Sequence, residues 1–130
     1  MVPFRAAVEA GDFDAAVALL ADDVLFQSPV VFKPYRGRAA VGAILHAVSQ
    51  VFEDFRYVRE LADGDGDGDG EHHALVFQAR VGERELEGCD FIHADADGAI
   101  DEFTVMVRPL SAALALAEAM RARLAASADA

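Results

Sequence analysis

Asp90 is the residue whose surroundings point most directly to chemistry. Across Glu85 to Ala94, Leu86, Gly88, Asp90 and Ile92 alternate with Glu87, Cys89, Phe91 and His93. In a strand this period places Asp90 on the same face as an otherwise apolar set. A carboxyl facing an apolar interior is desolvated, and desolvation raises its pKa toward the range useful for general acid or base work. A second reading stands beside it: Asp90 accepts hydrogen bonds from a neighbouring strand or from the loop at Ser28 and is structural.

Other reactive side chains are weighed on the same terms. Tyr35 and His46 are candidate helpers for Asp90, Tyr35 in an apolar loop and His46 on a helix, where it either carries protons into a pocket or lies at the surface. His72 and His73 are adjacent and point to opposite faces of a strand. His93 faces away from Asp90. No pair has the helical spacing of a metal site, so no metal and no cofactor is expected. Cys89 alternates to the face opposite Asp90 and is expected under the last helix or at an interface rather than as a nucleophile. The run Asp63-Gly64-Asp65-Gly66-Asp67-Gly68 matches the first half of a calcium loop, but its twelfth position is Ala74 and the bidentate acid is missing. A flexible hairpin connection is the expected role.

These residues need elements to hold them. Pro3 suits a first helical turn, Phe4, Ala7 and Val8 share a face, and Gly11 ends the segment. Asp12 caps a second helix carrying Phe13, Ala16, Val17 and Leu20 and closing at Asp22-Asp23. Val24 to Gln27 is a short strand ended by Ser28-Pro29. Val30 to Arg36 is an irregular apolar segment. A third helix spans Ala39 to Phe52 with Val41, Ile44, Leu45, Val48 and Phe52 on its apolar face. The period then becomes two. Phe55, Tyr57, Arg59 and Leu61 alternate with Arg56, Val58 and Glu60, and further strands cover Ala74 to Val81, Glu85 to Ala94 and Ile100 to Arg108. Pro109 stops the last, and Ser111 caps a final helix to about Ala125. Three N-terminal helices, hairpin-linked strands and a C-terminal helix make an α+β fold with an antiparallel sheet. One domain is expected over 1–126, with a frayed tail at 127–130.

The whole-chain numbers exclude several functions. The 130 residues fit one domain, and a net charge of −12 disfavours nucleic acid and anionic membrane surfaces as partners. There is no apolar run of signal-peptide or membrane-span length. With a single cysteine no intrachain disulfide forms, and a cytoplasmic location is expected. Nine Phe and no Trp imply a core or cavity wall built from Phe.

Glu9-Ala10-Gly11-Asp12-Phe13-Asp14, followed by Leu20-Ala21-Asp22-Asp23-Val24, resembles the opening of the nuclear transport factor 2-like superfamily. Pro34-Tyr35-Arg36-Gly37-Arg38 before a helix, and Asp95 to Phe103 near the end, resemble it too. The likeness covers nearly the whole chain and is nearest to the SnoaL-like branch. It implies a cone: a bent sheet wrapped round a long helix, open at one end to a cavity, often dimeric through the outer sheet face. Members include ketosteroid isomerases, polyketide cyclases, epoxide hydrolases, dehydratases and binding proteins, so the fold does not name a reaction.

Carried over residue by residue, the isomerase pattern is incomplete. Its base position falls on Ser28 and its helix tyrosine on Phe4; its protonated aspartate falls on Asp90. The arginine an epoxide hydrolase would place two residues before Asp90 is Gly88. The expected wall is Tyr57, Phe77, Ala79, Leu86, Gly88, Asp90, Phe103 and Val105 from strands, with Phe4, Val17 and Ile44 or Val48 from helices. Val30, Phe32 and Tyr35 rim the mouth, beside Ser28. Such a wall suits a small apolar cyclic molecule, unless the Phe side chains fill the space. The expectation is thus a small-molecule isomerase, cyclase or hydrolase, or a non-catalytic binding or dimerisation module of the same shape.

Overall fold

The computed structural model describes residues 2–63 and 70–128. Helices α1 (Val2–Glu9) and α2 (Phe13–Ala18) precede β1 (Leu20–Gln27) and the two-residue β2 (Tyr35–Arg36). Then come α3 (Arg38–Val51), β3 (Glu53–Ala62), β4 (Glu71–Val81), β5 (Arg84–Ala94), β6 (Ile100–Arg108) and α4 (Leu110–Ala128). The six strands form one curved sheet in the order β2-β1-β6-β5-β4-β3. The fold is the α+β cone. No helix among the described residues is long and apolar enough to cross a membrane.

Local chemistry sets most boundaries. Gly11 adopts φ 73°, which lets α1 end abruptly. The Asp12 carboxylate accepts the Ala15 N–H at 3.1 Å and caps α2. Arg38, at the start of α3, donates from Nε and Nη2 to the Leu20 carbonyl at 3.0 and 2.8 Å and pairs with Asp22 at 2.9 Å. This anchors the helix to the first strand.

Three boundaries depart from the sequence expectation. The second helix stops at Ala18, not at Asp22-Asp23. Leu20 instead enters β1 opposite Ile100, and an irregularity in register between Leu20 and Leu25 leaves Asp22 and Asp23 in solvent. The sheet is antiparallel except for β1 and β6, which run parallel, so one pairing differs from the antiparallel sheet expected. The final helix runs on through Ala128, past the point where fraying was expected. The central residues of the Asp-Gly run, 64–69, lie outside the described residues, as do 129 and 130.

The core sits between the concave sheet face and the helices. Phe4, Leu20, Val24, Val41, Leu75, Phe77, Ile92, Ile100 and Phe103 are its largest fully buried side chains. Gly88 has a tight steric role. A Cβ there would lie 2.3 Å from Cζ of Phe77 and 2.9 Å from the Met106 carbonyl oxygen. The strand glycine is the space into which Phe77 folds from the neighbouring strand, where it is the register partner of Gly88.

Gly88→Ala is therefore expected to destabilise the fold by roughly 1–3 kcal/mol, the usual cost of overpacking. Urea unfolding checks this. A stability within about 0.5 kcal/mol of wild type, the range of neutral surface changes, would contradict it.

Candidate functional site

A cavity of about 610 Å³ opens inside the cone. Its floor and walls come from every layer. The helices α1, α2 and α3 contribute Phe4, Val8, Phe13, Ile44, Leu45 and Val48, with Ser49 and Phe52. The strands contribute Phe26, Phe55, Tyr57, Phe77, Asp90, Phe103 and Val105. The β1–β2 loop adds Ser28, Pro29, Val30 and Val31, and α4 closes one side with Leu116, Ala117, Met120, Arg121 and Leu124. The volume lies within the roughly 300–1,000 Å³ range of small-molecule sites.

Aromatic rings pack against one another along this wall, some edge to face and others tilted. Phe55 meets Tyr57 at 4.9 Å between centroids and 87° between planes, and lies 5.0 Å from Phe77. Phe103 holds Phe4 at 5.3 Å and Phe26 at 5.5 Å. A kink at the start of β3 aims Phe52 and Phe55 at the same space. Asp54 takes φ 55°, a left-handed conformation uncommon for a side-chain-bearing residue. Arg80 clamps it, donating to Asp54 at 2.7 Å and to Glu53 at 2.9 Å.

Asp90 is the one buried charged or polar residue of the core among the described residues, at 6 % exposure. The Tyr57 hydroxyl donates to its Oδ2 at 3.2 Å. Burial pushes the Asp90 carboxyl up to about 7, against the smaller lowering effect of the Tyr57 hydrogen bond. Burial, and then the neighbouring Asp90 charge, push the Tyr57 phenol far above its ordinary value, so it stays a neutral donor. The Arg5 guanidinium lies 5.7 Å from the centroid of the Tyr57 ring, and Arg5 is itself held by Glu9 at 3.2 Å and Glu60 at 3.4 Å. The pair can accept a proton near neutral pH and return it, in surroundings that exclude most water.

The structure brings together Phe4, Ser28, Tyr35, Tyr57, Phe77, Asp90, Phe103 and Val105 around the cavity, with Val30 at its rim and Ile44 and Val48 both present. Five expected side chains stand elsewhere. His46 points out of α3 beside α2, half exposed and 3.2 Å from Asp14, because the buried stripe of that helix is Val41, Ile44, Leu45 and Ala47. Phe32 is 97 % exposed on the β1–β2 loop. Val17 packs between helices on Gly42, where a Cβ would meet its Cγ1 at 3.1 Å. Leu86 is buried opposite Ala79, one inward-facing pair beyond Phe77 and Gly88, and the Phe77 ring over Gly88 stands between it and the cavity. Ala79 stands with it outside the cavity.

Ser28 borders the cavity without touching Asp90. Its Oγ accepts the Val30 and Val31 N–H groups at 3.3 and 3.0 Å and donates to the Val31 carbonyl at 3.4 Å, so it shapes the loop. Cys89 faces away from Asp90 and is half buried, and burial first, then the Asp90 charge, raises its thiol pKa, which suppresses nucleophilicity. Outside the cavity, His93 lies 2.5 Å from Asp101, and its ring is tilted against that of His72 at 4.5 Å between centroids.

Sequence reasoning missed the Asp90 partnership of Tyr57 and the wall residues Phe13, Phe26, Phe52 and Phe55. Phe55 carried a usable signal, since it alternates in phase with Tyr57. It missed α4 as a wall altogether. That helix is Ala-rich with apolar residues on all sides, Leu110 and Leu114 exposed and Ala112 and Leu116 buried, so no stripe marks its inner face.

The SnoaL-like domain family matches residues 3–103. No curated protein matches the chain. Among solved structures, a steroid delta-isomerase from Pseudomonas aeruginosa is 46 % identical, with a TM-score of 0.89 over 96 % of this chain and 88 % of that one. An uncharacterized bacterial protein with a cystatin-like fold, from Silicibacter pomeroyi DSS-3, is 39 % identical, with a TM-score of 0.87 over 98 % and 86 % of the two chains. The Orange Carotenoid Protein of Anabaena, bound to canthaxanthin, shares the fold at 16 % identity and a TM-score of 0.63, over 80 % of this chain and 33 % of that one.

The raised Asp90 pKa has a direct consequence for stability. Between the unfolded value of about 3.9 and the folded value of about 7, the native state holds a proton that the unfolded state has lost. Stability therefore falls as pH rises through this window and levels above it. Asp90→Asn removes the titration. The variant is expected to gain stability relative to wild type from pH 4 to 7, by up to roughly 4 kcal/mol. Denaturation at a series of pH values reads the difference. A wild-type minus variant difference that does not change with pH would show that Asp90 titrates normally.

Proposed function

The chain belongs to the SnoaL-like domain family, and on that premise we propose that it is an acid/base catalyst of the isomerase or cyclase type acting on an apolar cyclic carbonyl compound. The observation that carries this reading is the buried Tyr57–Asp90 pair opening into an apolar cavity. As carboxylate, Asp90 takes a proton from the carbon next to the ligand carbonyl, whose electrons pass to the oxygen as an enolate. As carboxylic acid it gives the proton back at another carbon, and the net change is a proton shift with no added reactant. A carboxyl whose pKa is about 7 is balanced between the two roles at neutral pH. Tyr57 holds it in place. Tyr35 is the proposed donor to the developing oxyanion: it borders the cavity, and among the described residues nothing hydrogen-bonds its hydroxyl. His46, half exposed, is left out of this reading.

A second reading is a binding module with the same cavity. It is favoured because, among the described residues, no second carboxylate stands beside Asp90, and Ser28 is engaged with its own loop. Turnover separates the two. With a β,γ-unsaturated cyclic ketone, formation of the conjugated product is followed by ultraviolet absorbance. Asp90→Asn is expected to lower kcat by at least about a hundredfold, and Tyr35→Phe by about tenfold or more. Binding without turnover, with an affinity unchanged in Asp90→Asn, favours the module.

The protein is also proposed to be a cytoplasmic homodimer through the outer sheet face. In support, the register rows Val76, Cys89, Met106 and Ala74, Phe91, Thr104 lie side by side there. Phe91 is 44 % and Met106 59 % exposed. A polar row borders them: Arg56 donates to Gln78 at 2.9 Å, Gln78 to Glu87 at 3.5 Å, and Arg108 lies 3.7 Å from Glu87. An apolar centre with a polar border is the ordinary make-up of an interface. Its one thiol, unpaired, suits a reducing compartment. Sedimentation at micromolar concentration is expected to give twice the 13.9 kDa chain mass, and Phe91→Glu to give the monomer. A monomeric wild type removes this proposal and leaves the cavity reading intact.

A further inference from the structure

Three charged side chains border the cavity, Glu9, Asp90 and Arg121. Two are accounted for: Asp90 by Tyr57 and Glu9 by Arg5. Arg121 is different. Among the described residues no carboxylate pairs with it. Its neighbours at the cavity are Ala117, Met120 and Leu124, none of which can carry charge.

Its position along α4 is informative. Ala112 and Leu116 are fully buried, Met120 is half buried and Arg121 is exposed. Arg121 both borders the cavity and is exposed, so it stands where the cavity meets solvent, about 7.5 Å along the helix axis from the buried Leu116. Besides Glu9, which Arg5 holds, and the hydroxyls of Ser28, Tyr35 and Ser49, two polar features mark the cavity. Inside stands a hydrogen-bonding pair suited to the carbonyl end of a ring. At the mouth stands a cation that no carboxylate pairs among the described residues, on a chain whose net charge is −12. An overall negative field repels anions, so a local cation is needed if an anionic ligand is to enter.

We propose that the ligand is an apolar ring compound with a carboxylate at the end facing the mouth, bound by the Arg121 guanidinium. This rests on the reading of the cavity as a ligand site and adds the class of molecule it takes. Arg121 is then a specificity residue. It selects carboxylated rings over neutral ones and orients them with the other end toward Asp90. A planar guanidinium matches a carboxylate through paired N–H donors.

The test uses a matched pair of fluorescent probes, 6-hydroxy-2-naphthoic acid and its methyl ester, titrated into the whole protein. Wild type is expected to bind the acid roughly fivefold more tightly, the upper range for a solvent-exposed charge pair, with the preference shrinking as salt rises. Arg121→Gln is expected to bring the two affinities together, and Arg121→Lys to restore part of the gap. An ester that binds as well as the acid to wild type overturns the proposal. So does an acid preference that survives in Arg121→Gln. In either case, binding of the ester that weakens in Tyr57→Phe would leave the cavity reading standing. Binding of neither probe overturns both.

Discussion

The hydrogen bond from Tyr57 to Asp90 is the constraint around which the molecule is arranged. A carboxyl taken out of water without a partner is costly, and one with a single neutral donor is held at the edge of ionisation. The rest of the cone makes that state possible. Phe55 packs against the Tyr57 ring and Phe77 against Phe55, so aromatic bulk surrounds the donor. The Arg80 clamp on Asp54 fixes the kink that turns Phe52 and Phe55 inward. Arg5, held by two glutamates, rests against the ring of the donor. Charged side chains thus support the site from outside while its interior stays nearly free of charge.

The Gly88 position shows how tightly enclosure and packing are joined. A side chain there would displace Phe77, and Phe77 forms both core and cavity wall. Leu86 and Ala79 are excluded from the cavity by the same ring. A residue can therefore share a strand face with Asp90 and still stand outside the site, because what bounds a cavity is the bulk of intervening side chains and not the direction of the Cβ alone.

That distinction explains what could be read in advance. Strand alternation located Asp90 on the inward face, and helix spacing located Phe4, Ile44 and Val48, because those periods follow from backbone geometry. The order of helices and strands carried the fold class for the same reason. Phe32 was misplaced because a loop has no period, and for His46 the helical period alone left pocket and surface both open, the surface being where it lies. The contribution of α4 was hidden for a third reason. Its inner and outer faces are both built from Ala and Leu, so only the partner surface tells them apart. The kink at Asp54 was equally out of reach, since nothing local requires an aspartate to adopt φ 55°.

The parallel pairing of β1 with β6 has a consequence for how the protein is made. Gln27 and Thr104 hydrogen-bond at 2.8 Å although 77 residues separate them, and that pairing fixes the first strand in the sheet beside the last. A ribosome-bound chain that has emerged only as far as β5 lacks β6, the strand that stands between β1 and β5, and contacts so distant in sequence form late and slowly. Until β6 appears, the nascent chain shows water the Phe-rich surfaces that later line the cavity. For a cell synthesising this protein, the vulnerable interval is therefore the one that closes when Ile100–Arg108 leaves the ribosome.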